Sequence, residues 1–226
     1  MKKYLFLFGF VLTAFSCMST RPELKIPFVS NGEIVLDARA ADWKGAPLID
    51  GLVCPWEENL SDRTRFYAAH DEVNFYFYFE TEDATLTAVC CAEEDSVMPV
   101  DRVELFMSCD EKMKQYYGAE IDPTGKTLDY SAQFYRKSDF NWDFSTLRVV
   151  TRIDCDRYIV EGAISKKELK ALGLLKENGE MLAGVYRGDA QSVGGFIYWY
   201  PWIDPHVDEP DFHIPATLGR FVFLPE

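Results

Sequence analysis

The chain has 226 residues and a formal net charge of −14, from 37 acidic and 23 basic side chains. Such a surface repels a phosphate backbone, which excludes nucleic acid as a partner. Hydrophobic residues make up 48% and aromatic residues 15% of the chain, enough for one domain with a full core.

In chain order, Met1-Lys2-Lys3 is a short cationic start, followed by an apolar stretch over residues 4–15. That stretch has the length of a signal-peptide core and is shorter than the ~20 residues needed to span a bilayer. Ala14-Phe15-Ser16-Cys17 is similar to the lipobox cut by bacterial lipoprotein signal peptidase, with Phe15 departing from the usual small residue. The expectation is a signal peptide over 1–16, lipid on Cys17, a tether over 17–26 and a single domain over 27–226. Lipid is then the only anchor, because no later segment is apolar enough to cross a membrane. The expected location is the cell envelope.

The body reads as strands separated by turn residues. Residues 73–80 place Phe75, Phe77 and Phe79 on one face and Tyr76 and Tyr78 on the other, both faces apolar, as in a buried strand. Residues 101–109 alternate Val103, Leu105 and Met107 against Arg102, Glu104 and Phe106. Residues 116–121 form another strand, ended by the turn Asp122-Pro123-Thr124-Gly125. Strands follow over 128–135, 147–153 and 158–164, with Asp154-Cys155-Asp156-Arg157 as a tight hairpin connection. Ser165 with Glu168 forms a capping-box pattern for one short helix, with Leu169 and Leu172 on its apolar side and Gly173 closing it near residue 172. Late strands run over 181–187, 195–200 and 219–224. Many short strands with one brief helix predict an all-β antiparallel sandwich of jelly-roll or immunoglobulin-like type.

Cysteine spacing assigns no site. Beyond Cys17 stand Cys54, Cys90, Cys91, Cys109 and Cys155, an odd number without a CxxC pair, so no zinc ribbon or thioredoxin-like site is indicated and no disulfide can be assigned.

Three kinds of chemistry suggest themselves. Trp56, Trp199 and Trp202 with Arg102, Glu104, Glu120 and Arg187 have the residue types of a sugar cleft: rings for a pyranose face and charged groups for vicinal hydroxyls. Core packing for each Trp and a cross-strand ion pair for Arg102 and Glu104 are the competing readings. The run Asp204, His206, Asp208, Glu209, Asp211 and His213 has metal-ligand types, but Pro205, Pro210 and Pro215 make it an irregular loop and favour solvated acids. Calcium bound by carboxylates is allowed but selected by no motif, and no other cofactor is indicated. For catalysis, GxSxG, a P-loop and GxGxxG are absent, and no carboxylate pair is singled out for glycoside hydrolysis.

Several segments together resemble the family 9 carbohydrate-binding modules and the family-9-like domains of exported bacterial proteins. They are Leu36-Asp37 through Asp42-Trp43, Arg65 to Asp71 with Asn74 to Phe79, Asp101-Arg102-Val103-Glu104-Leu105-Phe106, Tyr116 to Gly125, and Trp202 with Pro210-Asp211-Phe212-His213-Ile214-Pro215 leading to Leu218-Gly219-Arg220-Phe221. The resemblance implies a β-sandwich that clamps a sugar between two Trp rings while Arg and acidic side chains hold its hydroxyls. By position, Arg102 matches the family's strand arginine and Trp202 its later Trp, with Trp56 as partner ring and Arg187 as second Arg. The expectation is a domain that stands alone, without the attached catalytic module of many family members. The implied function is non-catalytic binding of an oligosaccharide or polysaccharide by an exported lipoprotein. The alternatives are a polysaccharide-active hydrolase using Glu104 or Glu120, and a structural or assembly lipoprotein, with envelope protein partners, that has lost the sugar site.

Overall fold

The computed structural model describes residues 21–45, 47–89 and 94–226. The expected signal peptide, Cys17, Cys90 and Cys91 lie outside the described residues. Among the described residues, thirteen strands form two sheets. The larger sheet runs β1 (Glu23–Ile26), β13 (Gly219–Phe223), β11 (Glu180–Ala190), β5 (Arg102–Ser108), β6 (Tyr116–Ile121), β7 (Thr127–Gln133) and β8 (Lys137–Asp139), with β12 (Ile197–Pro201) paired to the far half of β11. The smaller sheet runs β2 (Ile49–Asp50), β3 (Thr64–His70), β4 (Asn74–Glu82), β10 (Arg157–Ser165) and β9 (Arg148–Ile153). The all-β sandwich expected from the alternation is the fold observed.

Period-two alternation explains the layers. Phe75, Phe77 and Phe79 of β4 and Val103, Leu105 and Met107 of β5 face each other in the core between the sheets. Phe66 closes this core edge-on against Phe79, with ring centroids 4.9 Å apart. Tyr76 and Tyr78 point the other way, onto a separate apolar cluster with Ile34, Ala38 and Trp43 that covers the smaller sheet. Phe106 points away from the main core into a third cluster on the outer face of the larger sheet, with Tyr130, Tyr186 and Phe212.

Three details differ from expectation. Glu23–Ile26, expected within the tether, is an edge strand, because Leu24 and Ile26 bury against the core while the backbone pairs in parallel with β13. Among the described strands the pairing is therefore antiparallel except at that edge, and Phe28 adds one parallel bridge to His70. The strand expected over 128–135 stops at Gln133, and Arg136, at φ 55°, turns the chain into β8. The capping box does not close. Ser165 caps α1 (Lys166–Ala171) as expected, accepting from the Lys167 N–H, but Glu168 accepts from the backbone and hydroxyls of Ser145 and Thr146 and so ties the helix to the preceding loop. Cys54, Cys109 and Cys155 are free thiols. No helix among the described residues is long and apolar enough to cross a membrane.

Candidate functional site

Register on the larger sheet builds the site. Gly188 of β11 pairs with Arg102 on one side and Trp199 on the other, so these three residues form one cross-strand row. In the next row Tyr186, Glu104, Glu120 and Leu128 lie side by side. In the third, Phe106, Gly118 and Tyr130 follow. All these side chains point outward from the core.

Two glycines make the geometry work. A Cβ at Gly188 would stand 3.3 Å from both Arg102 Nη1 and the Trp199 ring. Its absence lets the Arg102 guanidinium sit 4.9 Å from the Trp199 ring centroid, a cation–π contact. A Cβ at Gly118 would meet the Tyr130 ring at 2.5 Å. Without it the ring lies across β6, and its hydroxyl donates to Glu120 Oε1 at 3.1 Å.

Loops wall this face. Phe212 stacks on Tyr186, with centroids 4.3 Å apart and planes 16° from parallel. His213 packs on Phe106, and its Nδ1 lies 2.8 Å from the Tyr116 hydroxyl. Burial holds the His213 imidazole down to about 4, with the Arg136 charge acting the same way, so it is neutral at physiological pH. Arg136 donates to Asp211 at 2.8 Å and so clasps the β7–β8 turn to the late loop. Phe140, 50% exposed, meets the edge of Tyr130 at 5.2 Å. Between these walls lies a cavity of about 370 Å³. Met98, Arg102, Glu104, Glu120, Tyr130, Arg136, Ser138, Phe140, Trp199, Pro210, Phe212 and His213 line it.

At its base, Arg102 Nε lies 2.9 Å from both Glu104 Oε1 and Glu120 Oε2. Arg102 Nη1 donates to the Met98 and Val100 carbonyls at 2.8 and 3.3 Å. Nη2 has no partner among the described residues. Burial, then the neighbouring Glu120, raises the Glu104 carboxyl to about 8, and burial raises Glu120 as well.

The expected site residues divide. Arg102, Glu104, Glu120 and Trp199 come together in the cavity. Trp56 stands behind its wall, packed on Phe212 and donating to the Val207 carbonyl at 2.9 Å. Trp202 turns inward against Phe221 and the main core. Arg187 also faces inward, buried, donating to Asp62 and Asp83 at 2.8 Å each. Trp56, Trp202 and Arg187 therefore lie outside this cavity.

The metal reading of the late loop does not hold among the described residues, since its acids and histidines do not converge there. Asp204 pairs with the exposed His206, Asp211 with Arg136, and His213 with Tyr116. The carboxylates that do cluster among the described residues are Asp83, Asp101 and Asp189. Arg187 stands against Asp83 and Asp189 where a calcium ion would supply counter-charge, and the two Asp101 oxygens accept from the Thr87 and Ala190 N–H groups.

Tyr130, Arg136, Phe140 and Phe212 were not expected as site residues. Tyr130 had a usable signal, because it follows Leu128 at period two. The other three come from turns and loops, whose approach to the sheet no local pattern encodes.

No protein-family profile and no curated protein matches the sequence. Solved structures do. A Bacteroides uniformis protein described as a candidate carbohydrate-binding protein superposes with a TM-score of 0.74 at 15% identity, over 91% of this chain and 100% of that one. A family 9 carbohydrate-binding module from Caldicellulosiruptor kristjanssonii, solved with glucose, matches at 0.62 and 16% identity, over 91% and 97% of the two chains. The structure of a module from the same organism and family with cellotriose matches at 0.61 and 17%, over 88% and 93%. The chain thus has a family-9-like carbohydrate-binding-module fold.

Proposed function

We propose that this protein is an exported lipoprotein that binds carbohydrate without transforming it, and that its site is the cavity on the outer face of the larger sheet. One observation carries the reading: Trp199 and Phe140 line a cavity whose base is Arg102 with Glu104 and Glu120. Flat rings beside charged hydrogen-bonding groups suit a pyranose, which has an apolar C–H face and a rim of hydroxyls. The volume falls at the lower end of the ~300–1,000 Å³ usual for ligand pockets. The structural neighbours' sugar ligands support the same reading. Glucose and cellotriose, bound by those neighbours, are the first ligands to try.

A hydrolase would set two carboxylates apart across a cleft. Here both converge on one guanidinium nitrogen, which suits holding a ligand. A sandwich that had lost its site would bury Arg102 in a closed core; here Arg102 lines an accessible cavity.

A glycan array followed by calorimetric titration tests the proposal. Wild type is expected to bind at least one soluble oligosaccharide, and Arg102→Ala to lose that binding. No binding at all, or binding unchanged in Arg102→Ala, would sink it. The lipid anchor is tested separately by mass spectrometry of the mature N-terminus. An acylated Cys17 is expected, and an unmodified one removes the anchor while leaving sugar binding intact.

A further inference from the structure

The base of the cavity holds more buried negative charge than positive. Glu104 and Glu120 stand directly opposite each other on β5 and β6, a placement in which like charges repel. Both lie 2.9 Å from Arg102 Nε, whose single N–H donates to Glu104 Oε1 alone. Glu104 is only 2% exposed, yet its Oε2 receives no hydrogen bond among the described residues. Glu120 Oε2 likewise accepts none, being close to Arg102 Nε without the geometry of a bond. The other charges facing the cavity do not correct the balance. Arg136 draws both carboxyls down, but least of the neighbouring groups, and is itself paired with Asp211; His213 is neutral, and Tyr130 holds its proton because burial and the Glu120 charge push its hydroxyl well above its ordinary value. Two buried carboxylates against one guanidinium leave one charge without a partner, which is costly at low dielectric.

We infer that the preferred ligand carries a protonated amine: an amino sugar with a free, unacetylated nitrogen, its ammonium seated against Glu104 and Glu120. This rests on the sugar-binding reading and narrows it. An ammonium group brings three donors and one positive charge, which matches two acceptor oxygens and one surplus negative charge. A neutral hydroxyl supplies the donor but not the charge, and a uronic acid would add a third carboxylate. The raised carboxyl of Glu104 fits the same picture. In the free protein near neutral pH the pair tends to keep a proton, and an incoming ammonium displaces it into solution.

Calorimetry at pH 7 with glucose, galactose and mannose, and with their 2-amino, 2-acetamido and uronate counterparts, tests this. One 2-amino sugar should bind about tenfold or more tightly than its neutral parent, the gain of a charge-assisted over a neutral hydrogen bond. Its acetamido form should fall back to the parent's affinity, and the uronate should not bind measurably. Titrations in two buffers of different ionisation enthalpy should show proton release for the amine alone. In Glu104→Gln the ratio of amine to parent should collapse toward one, with thermal denaturation showing that the variant is folded. If it is not folded, Glu120→Gln gives the same readout. If the neutral sugars bind and the amines bind no tighter, this inference falls and the sugar-binding reading stands. If no member of the panel binds, this inference falls, and the oligosaccharide array alone decides the sugar-binding reading.

Discussion

On the outer face of the smaller sheet, buried Glu161 accepts from the Trp43 indole N–H at 2.9 Å and from the Asp37 and Ala38 backbone N–H groups at 2.9 and 2.7 Å. The covering segment closes over it, and Trp43 packs on Tyr78 at 5.4 Å. On the outer face of the larger sheet, buried Glu104 and Glu120 both stand 2.9 Å from one guanidinium nitrogen, which donates only to Glu104, and they open into a cavity. Both faces spend glutamate in low dielectric, but only the first supplies a donor for nearly every lone pair. A buried charge with its partners in place fixes a loop. A buried charge short of partners beside a cavity marks where a ligand would supply them.

Removing the satisfied glutamate should have the largest effect. Glu161→Ala strands three donors and is expected to cost about 3–5 kcal/mol in urea denaturation, with sugar affinity of the folded protein unchanged. A cost below about 1 kcal/mol would break the contrast between the faces.

The pH dependence of stability comes next, and both faces contribute to it with the same sign, because burial raises the Glu161 carboxyl as well. A carboxyl raised to about 8 in the folded state from the ordinary 4.5 binds more protons folded than unfolded between those values. Its contribution to stability is therefore greatest below pH 4.5, falls as pH rises and is fully lost above about 8. Asp101, raised to about 7 chiefly by burial, pulls in the same direction, whereas His213, held down to about 4, weakens the fold as pH falls from 6.5. The difference between wild type and Glu104→Gln isolates the first of these. Chemical denaturation at intervals from pH 5 to 8 should show the variant gaining on wild type as pH rises. A constant difference would mean that Glu104 is ordinarily ionised.

Trp202→Ala should cost about 2 kcal/mol of stability, as expected for truncating a half-buried ring against the main core, and leave affinity alone. The smallest effect is expected from Tyr116→Phe, which removes the 2.8 Å contact with His213 Nδ1 and should cost about 1 kcal/mol.

Alternation alone located the part of the site that β5 carries. It put Arg102, Glu104 and Phe106 on one face of β5, opposite Val103, Leu105 and Met107, and this is where they stand. It could not relate Arg187 to Arg102, because that depends on interstrand register. Arg102 pairs with Gly188, so Arg187 pairs with Val103 and shares its inward face. Trp199 and Trp202 pose the same difficulty. Trp199 belongs to β12, whereas Trp202 follows Pro201, where the strand ends and the alternation with it. Trp56, Arg136, Phe140 and Phe212 sit on connecting segments placed by tertiary contacts such as the Arg136–Asp211 clasp.

The two tryptophans give the most direct test of the proposed site. Calorimetric titration of Trp199→Ala and Trp202→Ala, with the same sugar and with fold checked by thermal denaturation, separates the cavity ring from the core ring. Binding should be lost or weakened at least about tenfold in Trp199→Ala and retained in Trp202→Ala. Full affinity in Trp199→Ala together with loss in a folded Trp202→Ala would contradict the placement of the sugar site on the outer face of the larger sheet.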